Sequence, residues 1–500
     1  MASFYPGAKP VRPPKVLTDT VIPMHYFDDN TINRSVLLYI TLRFDEVLDP
    51  EELRDALERL MEIGDWRKLG ARLRKTDQNK LEYHVPASFD AKRPGFTYSN
   101  DEQFMNIQNH PLASRIPRPT SQTSVHSDLG DLVNLARRSD GPRKLEDFLN
   151  SDEPQLSLHI VSFEDATLVS LSWLHTFMDA VAMSTVLNAW VSVLNGREDE
   201  VPPICNFAND PLASLGLKPK EPHVLANKQL TGFNMVLFSL RYIFDLVCFR
   251  DSQRTIYIPA RHIRAMKKAA MKDLDVDLPT SRDSSVQSTT STPPFISSGD
   301  VLCAFLTRLA VRNLSATSTS EIAIVNAFNL RPALSSTLSA AAGVVLSNAV
   351  FVVSAFAPAC DILTKPLSYT ASLVRKSIVE QGTPSQIDAL AGLTRKAMDQ
   401  TGRPALFANG GTRLVVFSNW TKAGFFELDF GAAVVEMEKQ EEGATVRAKP
   451  SFVNLTGESN GLSPRGSWPI LGKDRSGGYW IQGNLRSDLW GAVEKELEEM

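Results

Sequence analysis

Imidazole is the side chain best suited to taking a proton near neutral pH, so the histidines are the first place to look for chemistry. They are His25, His84, His110, His126, His159, His175, His223 and His262. Two of them begin the pattern H-x-x-x-D: His25 with Asp29, and His175 with Asp179. The duplication shows that the pattern alone is cheap; context separates the two. His25 lies among loop-like residues in VIPMHYFDDN (21–30), and reads as a surface or packing histidine. His175 follows an apolar strand-like run and immediately precedes a helix-like one. Strand ends are where α/β proteins place reactive groups. Asp179 falls at the helix N-terminus, where a carboxylate is stabilised and can steer its neighbours. Other chemistries lack their residues. The sequence has no G-x-x-x-x-G-K-[ST] phosphate loop, no H-E-x-x-H zinc site, no G-x-S-x-G nucleophile elbow and no strand-linked G-x-G-x-x-G. No metal site is expected.

The elements that must hold His175 can be read from periodicity. Residues 156–163 (LSLHIVSF) and 167–173 (TLVSLSW) predict a hairpin around Glu164, Asp165 and Ala166. A helix follows over 179–194, with Met183, Val186, Leu187, Trp190 and Leu194 on one face and Gly196 as its stop. Upstream, 35–44 (SVLLYITLRF) predicts a strand. Residues 49–64 predict a helix capped by Asp49, with Pro50 in its first turn, Glu52 at a capping-box position and Gly64 at its end. Residues 115–154 predict loop with a short helix. The proline-rich stretch 196–260 predicts a connection between halves. Inside it, 235–249 is apolar apart from Arg241 and Asp245. It predicts a helix docked on the body of the protein, the alternative being an interfacial helix touching a membrane surface. The Ser/Thr-rich segment 279–298 predicts a mobile loop, after which Ser297 and Asp300 frame a capping box before VLCAFLTRLA. Strands are expected at 322–328, 350–355, 414–418, 434–437 and 479–482, and a final amphipathic helix over 486–498. Helices and strands alternate in both halves, an α/β (α+β) arrangement with mixed sheets.

Composition bounds the partners. With 500 residues the chain is long enough for more than one core. The net charge of −4 gives no global field for nucleic acid or anionic membrane. Cys205, Cys248, Cys303 and Cys360 lie far apart, which fits a reducing compartment rather than a disulfide framework. Residues 1–15 hold no apolar signal region, and no run of eighteen apolar residues predicts a spanning helix.

FEDATLVSLSWLHTFMDAVAMSTVLNAW (163–190) resembles the active-site segment of the BAHD acyltransferases, a coenzyme A-dependent family of plants and fungi. The family's H-x-x-x-D-G is similar to His175 through Ala180, and its D-F-G-W-G resembles Asp429, Phe430, Gly431, Ala432 and Ala433. VVFSNWTKAGFFELDFG (415–431) resembles the strand leading into that second motif. NLRPAL (329–334) resembles the stretch that carries a structural arginine, and LSNAVF (346–351) the region around a Gly-Asn pair. The order and spacing of these pieces agree over most of the chain. Ala180, Ala432, Ala433 and Ser347 depart from the family pattern.

The resemblance implies two chloramphenicol acetyltransferase-like domains with an active-site channel between them: 1–200 with H-x-x-x-D, a crossover at 201–260, and 261–500 with the D-F-G-type motif. It implies His175 as general base and Asp179 turned away to pair with Arg331. Ser418, Asn419 and Trp420 would lie near the acyl group or cofactor, with Asn348, Asp429 and Gly431 in structural roles. No cofactor is held permanently; acyl-CoA is a co-substrate and the acceptor a small specialised metabolite. The expected enzyme is a cytosolic monomer. Two alternatives stay open. A condensation-domain relative would use a carrier-bound donor, but Leu174 stands where those domains carry a first histidine. A catalytically silent binding protein is the other, motivated by Ala180, Ala432 and Ala433.

Overall fold

The computed structural model describes residues 12–205, 208–276, 295–338, 343–435, 447–459 and 465–500. Its first half runs β1 (Thr20–Pro23), α1 (Thr31–Arg34), β2 (Val36–Phe44), α2 (Pro50–Glu62), β3 (Arg72–Lys75), β4 (Leu81–Val85), β5 (Thr97–Gln103), β6 (Ser124–His126), α3 (Leu145–Leu149), β7 (Ser157–Phe163), β8 (Thr167–Leu174) and α4 (Ala180–Leu194). Then come α5 (Gly232–Cys248), β9 (Asp251–Ile258), α6 (Ala260–Val276), α7 (Ser298–Ala310), β10 (Glu321–Asn329), α8 (Leu330–Ala333), α9 (Ser335–Leu338), β11 (Val350–Pro358), α10 (Ala359–Thr364), α11 (Leu367–Gln381) and α12 (Pro384–Thr401). The last elements are β12 (Arg413–Asn419), β13 (Phe452–Ser459), β14 (Ser467–Lys473), β15 (Tyr479–Arg486) and α13 (Trp490–Glu498).

Two mixed sheets dominate, as expected for an α/β chain. The first orders its strands β13-β2-β8-β7-β5, all antiparallel neighbours except the parallel pair β5 and β7. The second orders β11-β10-β12-β14-β15-β9-β6, with β10, β12 and β14 parallel. A small antiparallel sheet, β1-β4-β3, flanks the first. The two large sheets exchange strands. β13, late in the sequence, pairs with β2 over eight positions from Phe452 opposite Arg43 to Ser459 opposite Val36. β6, early in the sequence, pairs with β9 at the far edge of the second sheet.

The apolar stripe of α2 (Leu53, Ala56, Leu57, Leu60, Met61) is fully buried, and Asp49 caps it through Glu51 N and Glu52 N. Gly64, just past its end, takes φ +50°, the left-handed region that glycine enters without a Cβ clash. In α4, Met183, Val186, Leu187 and Trp190 are all buried as the periodicity requires. The core of the first sheet also receives side chains from the far end of the sequence. Phe430 packs edge-on against Phe44 (centroids 5.1 Å apart) and Trp190 (5.2 Å). The capping box at α7 forms: Ser297 Oγ accepts from Asp300 N at 3.2 Å, and Ser297 N donates to the Asp300 carboxylate at 2.6 Å.

Three expectations change. The connection 196–260 is not irregular throughout, because its end forms β9 within the second sheet. Of the strand expected at 434–437, the described part makes one isolated bridge, Val434 to Leu48; the rest, like 279–294 of the Ser/Thr-rich segment, lies outside the described residues. The helix read at 235–249 exists as α5, but no residue of it is buried. Its half-buried face carries Phe238, Arg241, Tyr242 and Asp245, and the Arg241 guanidinium donates to the carbonyls of Gly411 and Thr412. Phe233, Val236, Leu240, Ile243, Phe244 and Val247 are exposed, while Leu237 lies against Gly410. Docking thus combines the apolar Phe238 and Leu246 with the Arg241 hydrogen bonds.

Candidate active site

β8 ends at Leu174, and the five residues from His175 to Asp179 turn the chain into α4. Nearly every carbonyl of that turn is captured. Leu174 O accepts from Phe177 N at 2.9 Å, and His175 O from Asn348 Nδ2 at 2.9 Å. Thr176 O accepts from Tyr83 Oη at 3.0 Å, and Met178 O from Trp173 Nε1 at 3.0 Å. His175 N itself donates to Val36 O at 2.9 Å, tying the turn to β2. Buried carbonyls need partners. Here the partners come from four separate elements, so the turn is fixed from all sides.

A ring nitrogen without a partner does not single out His175, since His25 and His262 carry one too; its place at the end of β8 does. Hydrogen bonds engage a ring nitrogen of His84 (Glu82), His110 (Leu112 and Ala113 N–H), His126 (Ser124), His159 (Ser99) and His223 (Leu225 N–H). His175 Nδ1 is buried with no hydrogen-bond partner, while the residue keeps some surface open. Burial lowers its pKa below the ordinary 6.5, offset in part by its own backbone, by the charge of Asp179 and by the Asn348 amide. The imidazole is therefore neutral at pH 7, the form that accepts a proton.

Asp179 points away from that ring. Its Oδ1 caps α4 by accepting from Ala182 N at 2.9 Å. Its Oδ2 accepts from Arg331 Nη1 at 3.0 Å and Ala349 N at 2.9 Å. Arg331 also reaches Ser347 O at 2.8 Å and Val345 O at 3.2 Å. The pairing of Asp179 with Arg331 expected from the sequence is thus formed. A helix cap is worth about 1 kcal/mol, whereas breaking a buried ion pair costs about 3–5 kcal/mol. The ion pair is the larger of the two roles.

Asn348 and Asp28 come together with His175. Asn348 N and Nδ2 both donate to Asp28 Oδ1, at 2.9 and 2.8 Å. Asp28 is 3% exposed, and burial raises its pKa to about 8 against the pull of Asn348 and Lys68. His25 is buried beside it, its Nδ1 3.8 Å from Asp28 Oδ2 and both ring nitrogens without hydrogen bonds. It packs, as one of the two sequence readings had it; burial lowers its pKa to about 4, with the Lys68 charge adding to the drop and Asp210 opposing it. Sequence reasoning missed Asp28 and Lys68; the adjacent acids in HYFDDN were the available signal.

Ser418, Asn419 and Trp420 lie at the end of β12. Trp420 Nε1 donates to Ser418 Oγ at 2.7 Å, and Trp420 meets Phe425 edge-on at 5.9 Å. Asn419 is exposed and accepts from Thr421 N at 3.0 Å. Among the described residues no hydrogen bond joins these three to His175; the link to α4 runs instead through Ser184 Oγ, which donates to Ala423 O. Asp429 Oδ1 accepts from Gly431 N and Ala448 N, both at 3.1 Å, a purely local fastening. Ala432 is exposed, so a large residue is not required there for packing.

A strand-end histidine, an averted aspartate and the aspartate's arginine partner thus meet at the turn between β8 and α4. The Transferase family model matches residues 126–446. The chain belongs to that family, the BAHD acyl-CoA-dependent acyltransferases. It is similar to Acetyltransferase sphE of Aspergillus fumigatus, at 39% identity over 99% of this chain and 98% of that one. It is also similar to a Penicillium decumbens protein named Transcriptional regulator calD, at 37% over 100% and 99%. Its fold is that of F. graminearum TRI101, crystallised with coenzyme A and deoxynivalenol: TM-score 0.67, 16% identity, 96% of this chain and 98% of that one.

Proposed function

We propose that the enzyme moves an acetyl group from acetyl-CoA to a hydroxyl or amine of a small specialised metabolite, with His175 as general base. The observation that carries this reading is the fixed turn. It holds, at the end of β8, an imidazole whose pKa is lowered by burial on a residue that keeps part of its surface open, while Asp179 is spent on Arg331. His175 takes the acceptor's proton as its oxygen or nitrogen attacks the thioester carbonyl. The C–S bond then breaks, and the coenzyme A thiolate leaves with the proton from the imidazolium. A base of this kind contributes about 10² to 10⁴-fold in rate. Ser418, Asn419 and Trp420 would face the acyl group or coenzyme A, and the A. fumigatus relative's name supports acetyl as the group moved. Incubation with an acyl-CoA panel and metabolite extract, read by mass spectrometry, tests this. An acetylated product lost in His175→Ala supports it, and unchanged turnover in that variant refutes it.

A second reading, a binding protein without turnover, is favoured by the name of the P. decumbens relative. Thermal stabilisation by coenzyme A with no product from any acceptor would select it. The 1–200 and 261–500 units, the monomeric state and a cytosolic location belong to the same proposal; sedimentation and cell fractionation test the last two. Among the described residues no helix is long and apolar enough to cross a membrane. The exposed stripe of α5 supports a peripheral contact with a lipid surface instead.

A further inference from the structure

The loop before β11 passes between the two halves of the site, and three consecutive residues of it are held by different partners. Ser347 O accepts from Arg331, Asn348 donates to Asp28, and Ala349 N donates to Asp179. Asp179 and Arg331 are part of the family motif. Asp28 is not, yet it lies one hydrogen bond removed from His175, through Asn348. The Asn348 amide has two N–H groups. One reaches Asp28 Oδ1 at 2.8 Å and the other the carbonyl of His175 at 2.9 Å. Both partners accept, so the nitrogen must face them and the amide orientation is fixed. Asp28 Oδ1 also takes the main-chain N–H of Asn348, closing a ring that fixes that side chain. Asp28 is itself rigid. Its N–H donates to His25 O at 3.1 Å, and its carbonyl accepts from Asn33 Nδ2 at 3.1 Å.

We propose that Asp28 is a positioning residue for the transfer: through Asn348 it holds the carbonyl of His175, and with it the direction in which the imidazole points. This rests on the reading of His175 as the base. Asn348 is the donor seated on the carbonyl oxygen of the peptide between His175 and Thr176. Releasing it lets the peptide rotate and swing the ring. A displacement of about 1 Å at a reacting group costs on the order of 10²-fold in rate. The clamp needs only a carbonyl-type oxygen at Oδ1, which a protonated carboxyl supplies as well as a carboxylate. With burial pushing the Asp28 carboxyl up to about 8, the clamp holds across the neutral range whichever form is present.

The test uses full-length protein and release of free thiol from acetyl-CoA, where water is the acceptor and needs the same base. Asp28→Ala and Asn348→Ala are each expected to lower kcat by about 10- to 100-fold, with KM for acetyl-CoA within about 3-fold. The double variant should be no slower than the worse single one, because both act through one contact. Asp28→Asn keeps the acceptor oxygen and should stay within about 3-fold of the parent enzyme. Folded Asp28→Ala or Asn348→Ala with parental kcat overturns the proposal, as does Asp28→Asn being as slow as Asp28→Ala. If Asp28→Ala does not fold, the other two variants decide. His175→Ala separates the readings: residual turnover there removes the base assignment, whereas a dead His175→Ala beside a fully active Asn348→Ala removes only the role of Asp28.

Discussion

At the scale of single residues, what marks His175 is how firmly its backbone is held at the strand end. Its carbonyl and N–H are committed to Asn348 and Val36, while its Nδ1 has no partner. Because burial lowers its pKa below 6.5, the active neutral form persists through pH 7 and is lost only as pH falls under that value. The expected profile of kcat/KM is flat above neutrality with a single acid limb, its midpoint below 6.5; a midpoint above 7 would contradict the burial effect. Asp179 allows a stability prediction. Asp179→Ala removes one partner of a buried pair and leaves the Arg331 guanidinium uncompensated, so about 3–5 kcal/mol of unfolding free energy is lost. Urea unfolding measures it. A loss under 1 kcal/mol would mean that the pair is a simple cap. These residues were legible in sequence because H-x-x-x-D and NLRPAL are contiguous strings at recognisable spacing. Asp28 was not, since its meaning comes from a contact 320 positions away in the chain.

At the scale of elements, legibility followed burial. β2, β7, β8, β10 and β11 are apolar runs in sheets covered on their faces, and they read directly as strands. β5 (TYSNDEQ) is a polar edge strand without an apolar face, so periodicity had nothing to detect. β14 carries Pro469 inside a central strand and accommodates it next to a register shift between Ile470 and Gly472. α5 was found but lies half-exposed, because an apolar run predicts burial and nothing in the run shows that one face is held through Arg241 while the other is left open. Its outward stripe makes a clear prediction. Leu240→Glu and Phe244→Glu, 62% and 61% exposed, should leave the melting temperature and thiol release unchanged, since surface substitutions fall within about 0.5 kcal/mol. The same changes should abolish co-flotation with phosphatidylcholine vesicles if the stripe meets lipid. Equal flotation of parent and variants would remove the membrane contact from the proposed function.

At the scale of the whole molecule, the family resemblance implies two domains in succession, and the structure has two large sheets. Their connectivity binds them more closely than succession implies. The first sheet has β13 as its edge strand, and its core includes Phe430, Phe426 and Phe452 from the second half. The second sheet ends on β6 from the first half, and Gln482 Nε2 of β15 donates to Asn454 Oδ1 of β13 at 2.8 Å. Phe430 is the sharpest probe of this coupling, since its ring lies against Phe44 and Trp190 in the core that also carries β8 and α4. Phe430→Ala removes a fully buried aromatic, at a cost of about 3–5 kcal/mol. Were the halves independent, that loss would appear as a separate, earlier transition when followed by a probe in one half alone. The shared strands predict the opposite. Fluorescence and far-ultraviolet circular dichroism should report one coincident urea transition in the parent protein and in Phe430→Ala, moved to lower denaturant in the variant with its slope unchanged. A fragment of residues 12–205 lacks β13 and all three phenylalanines. It should therefore fail to show a cooperative transition, and a cooperatively folding fragment would show that strand exchange is dispensable.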